Sequence, residues 1–180
     1  MTMALTKVLI TISLLAFFFS SCRQPSAKEQ KKVTKEMLLE MNRKMVNTEA
    51  RVIEKYIEDN ELEMIKSETG YYYQFKKTTE ATQIQTNDFV ILAYTTSLLN
   101  GTICYSSATN GLMEFTVGKA QVEAGLEQFI TKMRKGDIAK LILPPYLAHG
   151  IAGDDNKIPK LSIIVMDIEV VDVKHASPIK

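Results

Sequence analysis

The stretch from Phe115 to Gly150 constrains the fold more than any other part of the chain. It carries one apolar helical segment between two strand-like runs. Val122, Leu126, Phe129, Ile130 and Met133 recur at helical spacing, which predicts a helix from roughly Val122 to Met133. Lys132, Arg134 and Lys135 follow where the helix dipole favours cations, and Gly136 is placed to supply a left-handed cap. Ile138 to Leu143 reads as a strand, stopped by Pro144-Pro145. A single apolar helix between strands suits an antiparallel sheet wrapped over that helix. A βαβ repeat would need more helices than the chain offers.

The flanking sequence supplies the other strands. Gly70 to Phe75 is aromatic and strand-forming, and Phe89 to Thr96 is a second strand after the turn residues Asn87-Asp88. Leu99-Asn100-Gly101 carries a strong hairpin signal. Thr102 to Tyr105 returns as a strand, Ser106 to Leu112 is a polar loop, and Met113 to Val117 is again a strand. A long loop, Pro145 to Lys160, precedes a last strand from Leu161 to Val173. The expected domain is α+β, with an antiparallel sheet of about five strands around one short helix.

At 180 residues there is room for one such domain with extensions. A net charge of +1, with no aromatic and basic stripe, gives no case for nucleic acid. The two cysteines make no disulfide framework, and His149 and His175 stand apart from any metal-ligand spacing.

Lys7, the apolar run Val8 to Phe19, and Ser20-Ser21-Cys22 have the layout of a processing segment. The run is shorter than the roughly 20 residues of a comfortable membrane span. It resembles a bacterial lipoprotein signal, although Phe19 stands where such signals usually carry Leu. That resemblance implies cleavage before Cys22, lipidation of Cys22 and attachment to the membrane through the lipid, in a cell envelope and most simply at an outer membrane facing the periplasm. An ordinary secretory signal and an uncleaved anchor are the alternatives. Arg23 to Lys32 is polar and lysine-rich and reads as a tether.

Val33, Met37, Leu38, Met41 and Met45 predict an amphipathic helix, and Asn47-Thr48 is placed to cap a second one with Val52, Ile53, Tyr56 and Ile57 inward. The methionine stripe is either core against the neighbouring helix or an adaptable partner surface, with a homodimer as one expectation. The division expected is 1–21 signal, 22–32 tether, 33–66 helical extension and 67–180 globular domain.

The motifs F-x-x-G, V-x-x-G-L-E, M-x-x-G-D-x-A-K-L and P-x-x-L-A-x-G, all between Phe115 and Gly150, resemble the FKBP family of peptidyl-prolyl isomerases. The likeness extends from about Gly70 to Val173. It implies an isomerase that accepts proline-containing polypeptides and needs no nucleophile, metal or cofactor. It implies a pocket between helix and concave sheet, with Leu126 as its floor, Val122 and the backbone N–H of Glu123 facing substrate, and Tyr94 as the retained aromatic. Cys104 and Tyr105 occupy positions usually filled by Phe and Asp. Met113 replaces an aromatic, His149 stands where a Tyr hydroxyl commonly donates, Ile158 keeps the apolar residue of the long loop, and Met166 replaces a Phe. A softer, less aromatic pocket follows, with lower expected efficiency. The alternative is a non-catalytic chaperone or scaffold that grips similar segments.

Overall fold

The computed structural model describes residues 34–177. The chain divides into two compact units, 1–39 and 40–180. Of the first, residues 34–39 are described; all are exposed, and Thr34 Oγ1 accepts a hydrogen bond from Met37 N at 3.3 Å, which caps the start of a helix. The signal and tether expected over residues 1–32 lie outside the described residues.

The second unit is built on a sheet of seven strands. They are β1 (Ile65–Lys66), β2 (Tyr72–Lys77), β3 (Phe89–Leu98), β4 (Ile103–Ser106), β5 (Met113–Thr116), β6 (Ile138–Leu143) and β7 (Ile164–Lys174). The order is β1-β2-β6-β7-β3-β4, and β5 pairs with β3 beside β4. All pairings are antiparallel. Six of the seven correspond to segments expected as strands; the short β1 is the addition, and β4 and β5 share one edge of β3. β3 is long enough for β5 to pair with Phe89 to Leu92 and β4 to pair with Thr95 to Ser97.

Alternation decides which residues face which way. Tyr71, Tyr73 and Phe75, Leu141 and Leu143, and Ile164, Met166, Ile168 and Val170 enter one core under helix α3 (Ala124–Ile130). Tyr72, Ile142 and Val165 point to the opposite face and meet Ile53, with Tyr56 and Ile57 beside it, from helix α1 (Lys35–Asp59). The run of three tyrosines is thus split between two cores. Phe129 of α3 closes the larger one, with ring centroids 5.1 Å from Tyr73 and 5.5 Å from Phe75. Glu54 of α1 ties the back face, accepting from the Tyr72 hydroxyl and from Lys66 Nζ, each at 2.9 Å.

Four local expectations are corrected. The extension is one helix, not two. Thr48 caps nothing; its hydroxyl donates to the Lys44 carbonyl at 2.8 Å, so the helical ladder runs on. With no neighbouring helix among the described residues, Met41 and Met45 stay exposed, and Val52, expected inward, is 45% exposed. Helix α3 is shorter than its apolar pattern. Lys132 N and Met133 N bond to Phe129 O and Ile130 O in tight i→i−3 turns, while Met133 remains buried. The buried Asp137 carboxylate draws the chain out of the helix, accepting from Arg134 N at 2.9 Å and Thr79 N at 2.6 Å. Gly136 has φ +84° but donates to Val170 O at 2.8 Å, so it serves the turn into β6 and does not cap α3. The polar loop after β4 also contains a helical turn, α2 (Ser107–Asn110).

One glycine sets how closely α3 approaches the sheet. A Cβ on Gly125 would lie 2.4 Å from Leu143 Cδ2. Alanine is the better helix former by about 1 kcal/mol, but overpacking a tight core costs about 1–3 kcal/mol. Gly125→Ala is expected to destabilise the protein by about 1 kcal/mol net, read as a lower midpoint in chemical denaturation.

Candidate active site

Ten residues picked out in the sequence come from six separate parts of the chain, and the fold gathers them. Cys104 (β4), Leu126 (α3), Ile158 (the loop after β6) and Met166 (β7) are buried in the larger core. Tyr94 (β3), Tyr105 (β4), Met113 (β5) and Val122 (before α3) pack against that core half-buried. Glu123 and His149 join Met113, Val122 and Ala148 in lining an open cavity of about 360 Å³. Met113, Val122 and Ala148 give that cavity an apolar wall and the Glu123–His149 pair a polar one, while Cys104, Leu126, Ile158 and Met166 belong to the buried core and not to its lining.

Cys104 and Tyr105 differ in role. The Cys104 thiol donates weakly to Lys157 O at 3.5 Å, and burial pushes its pKa up, so it acts as a small apolar filler and not as a nucleophile. Tyr105 replaces the expected carboxylate position with a hydroxyl that donates to Asp154 Oδ2. Asn156 Nδ2 donates in turn to the same hydroxyl at 3.2 Å, and Lys157 Nζ lies 5.1 Å from the ring centroid. Asp154 was missed in the sequence. It reaches the site from the long loop, which also accepts its own backbone donors onto Asp154: Asn156 N at 2.9 Å and Ile158 N at 2.7 Å, both to Oδ1. Burial opposes ionisation of Asp154, but the bonds from Tyr105, Ile158 and Asn156, together with the charge of His149, outweigh it and hold the carboxyl down to about 2. The local signal was the D-D-N turn after Gly153.

Glu123 immediately precedes α3. Among the described residues its backbone N–H donates to no protein acceptor. Its side chain is only 13% exposed, and its Oε1 lies 3.2 Å from His149 Nε2. That approach is not a hydrogen bond: His149 Nε2 is enclosed without an aligned partner. The Tyr94 hydroxyl is raised by burial and, secondarily, by the Glu123 charge. No group of three or more potential ligand side chains is positioned to hold a metal among the described residues.

The profile of the FKBP-type peptidyl-prolyl cis-trans isomerase family matches residues 80–171, the span that builds this arrangement from β3 to β7. The chain belongs to that family. FK506-binding protein 2 of Dictyostelium discoideum is 35% identical over 109 residues, 60% of this chain and 80% of that protein. The FKBP-type peptidyl-prolyl cis-trans isomerase FkpA of Buchnera aphidicola is 35% identical over 111 residues, 61% of this chain but 43% of the relative. Among solved structures, FkpA from Escherichia coli superposes with a TM-score of 0.63 at 27% identity, covering 93% of this chain and 73% of that one. AtFKBP13 superposes with a TM-score of 0.59 at 26% identity, covering 62% of this chain and 99% of its own. The FKBP-like fold expected from the motifs is the fold observed.

The Asp154 anchor gives a pH prediction. Its carboxyl is depressed in the folded state, so its stabilisation is complete above the ordinary Asp range near pH ~4 and is lost as pH falls toward about 2. Hydrogen exchange at the Ile158 and Asn156 amides should accelerate across that interval. In Asp154→Ala both amides should exchange fast already at neutral pH, with the acid step gone.

Proposed function

We propose that this chain isomerises X-Pro bonds in exported proteins at a bacterial cell envelope, held to the membrane by lipid on Cys22. The observation that carries the isomerase reading is a buried apolar set, Leu126, Cys104, Ile158 and Met166, together with a backbone donor at Glu123 that no described residue uses. Rotation about an X-Pro amide crosses a barrier of about 18–20 kcal/mol because resonance is lost. The twisted amide is less polar than the planar one. An apolar floor under the proline ring therefore favours it, and the Glu123 N–H fixes a carbonyl of the bound chain. No proton or electron moves through the protein. Val122 and Met113 enclose the ring from the side, and Tyr94 supplies the aromatic wall.

The envelope role rests on the lipoprotein-like sequence ending at Cys22, outside the described residues. No helix among the described residues is long and apolar enough to cross a membrane. The exposed methionines of α1 make self-association of this chain part of the same proposal. Sedimentation of the full chain as a monomer at tens of micromolar, a rough bound for a weak dimer, would exclude it. A second reading, a peptide-gripping chaperone without turnover, is favoured by one observation: Tyr105 replaces a pocket carboxylate and spends its hydroxyl on Asp154.

Exchange spectroscopy on X-Pro peptides separates the two readings. The full chain in detergent should speed cis-trans exchange, and Val122→Ala should lower kcat/KM by about tenfold, about 1.4 kcal/mol of lost transition-state contact. Peptide binding without any acceleration would establish the gripping module instead. For the anchor, Cys22→Ala should abolish palmitate labelling and release the protein from membranes; labelling that survives the substitution would rule the anchor out.

A further inference from the structure

A second cavity, of about 320 Å³, opens between helix α1 and the loop that follows β6, and the isomerase reading makes no use of it. Its whole lining belongs to the unit 40–180. Met45, Val46, Tyr146, Ile151 and Leu161 line it, and all five are left partly in water, Ile151 at 75%. Contiguous apolar side chains kept in contact with water mark a surface that another molecule covers. The loop side of the groove is fixed in advance. Gly150 N donates to Pro145 O at 2.8 Å, and Leu161 N donates to Gly150 O at 3.0 Å. A mostly apolar lining with few polar groups is the make-up of a ligand pocket.

One polar group marks what the groove lacks. Glu49 of α1 lines it, and its Oε2 is closed off from water with no hydrogen-bond partner among the described residues. Burial pushes the Glu49 carboxyl up, and no neighbouring cation offsets it among the described residues. No other charged side chain of those residues lines the groove. The one hydroxyl of the lining is spent elsewhere: Tyr146 Oη donates to the Thr69 carbonyl at 3.2 Å. That hydroxyl is raised by burial first and by the Glu49 charge second, which places the carboxylate near it without a bond between them. A carboxylate withdrawn from water is costly until a donor or a cation meets it.

We propose that this groove is a second binding site for polypeptide, taking a segment in which a lysine or arginine adjoins a large apolar side chain. It deepens the peptide-binding reading of the isomerase site and rests on that reading for the kind of partner. The apolar side chain covers Met45, Ile151 and Leu161, and the ammonium or guanidinium supplies the donors that Glu49 lacks. Lysine and arginine suit such a place because their alkyl stems lie along apolar surface while the charged end reaches a polar partner. The occupant is a polypeptide because one loop borders both openings. Ala148 and His149 line the isomerase cavity, and the next two residues, Gly150 and Ile151, line the groove. A chain held at the cavity has only to follow that loop to reach the groove.

The test uses the full chain in lipid nanodiscs, so that no detergent competes for the groove. A short X-Pro peptide reads the isomerase cavity by itself. The same peptide is then extended, on either side and at varied spacing, by Lys-Leu, Glu-Leu or Lys-Ser. At the best spacing Lys-Leu should tighten binding by about tenfold or more over the short peptide, the size of one charge-assisted hydrogen bond. Glu-Leu and Lys-Ser should add much less, and the Met45 and Ile151 methyl resonances should shift with the Lys-Leu peptide. Glu49→Gln should bring the Lys-Leu to Glu-Leu ratio near unity. Ile151→Ser, at a position mostly in water, should shrink the advantage of Lys-Leu over Lys-Ser. No gain at any spacing, or a Lys-Leu to Glu-Leu ratio unchanged in Glu49→Gln, overturns the proposal. Methyl shifts that follow the concentration of the protein and not that of the peptide overturn it too, and assign the groove to a second copy of the chain. Faster cis-trans exchange of the short peptide without a gain from any extension overturns the groove alone. A gain from Lys-Leu without faster exchange removes the isomerase reading and keeps the groove.

Discussion

Strands β6 and β7 must be dry on both faces, and the rest of the molecule is arranged around that requirement. Ile142 and Val165 point away from the main core, while their neighbours Leu141, Leu143, Ile164 and Met166 point into it. A sheet covered on one side only would leave Ile142, Val165 and Tyr72 in water. Burying three such side chains contributes several kcal/mol, at about 1.5–3 kcal/mol each. Helix α1 supplies the cover through Ile53, with Tyr56 and Ile57 beside it. Because side chains alternate strictly along a strand, a one-residue slip would exchange the two cores, so double-sided burial also fixes register.

Much of this was legible in the sequence. The hairpin at Asn100-Gly101, the Pro144-Pro145 stop and the apolar spacing of Leu126, Phe129 and Ile130 are local signals, and each describes what its own segment does. The family resemblance, which extends beyond the motifs, groups Tyr94, Leu126, Ile158 and Met166, and in the fold these four meet in one core. What failed was decided by partners distant in sequence. Helix α3 stops early because Asp137 captures Arg134 N and Thr79 N, and the Thr79 contact spans 58 residues. The single helix α1 could not be told from two because Thr48 serves equally as a cap and as a back-bonding residue. Asp154 escaped notice because its partner Tyr105 is 49 residues away.

Three buried or half-buried carboxylates share one task. Asp88 accepts from Gln85 N and Ala176 N, and from the His175 ring. Asp137 and Asp154 do the same for the turns before β6 and after Gly153. Each replaces missing strand hydrogen bonds where the chain leaves the sheet, which is what unpaired backbone amides at such exits require. Charge in this domain is therefore mostly structural.

The position of β7 has a consequence for how the chain is made. It lies in the interior of the sheet, paired with β3 along its length and with β6 from Ile164 to Glu169, and yet it follows every other described strand in sequence. Its pairing with β3 closes a loop from Ser97 to Val165 at one end and from Phe89 to Lys174 at the other. Contacts of such long span form slowly, because chain entropy is spent before they return any energy. During synthesis β6, already a partner of β2, and β3, already a partner of β4 and β5, wait for β7 as their common neighbour. Until β7 emerges, the β2–β6 pair and the β3–β4–β5 group have no strand that joins them into one sheet.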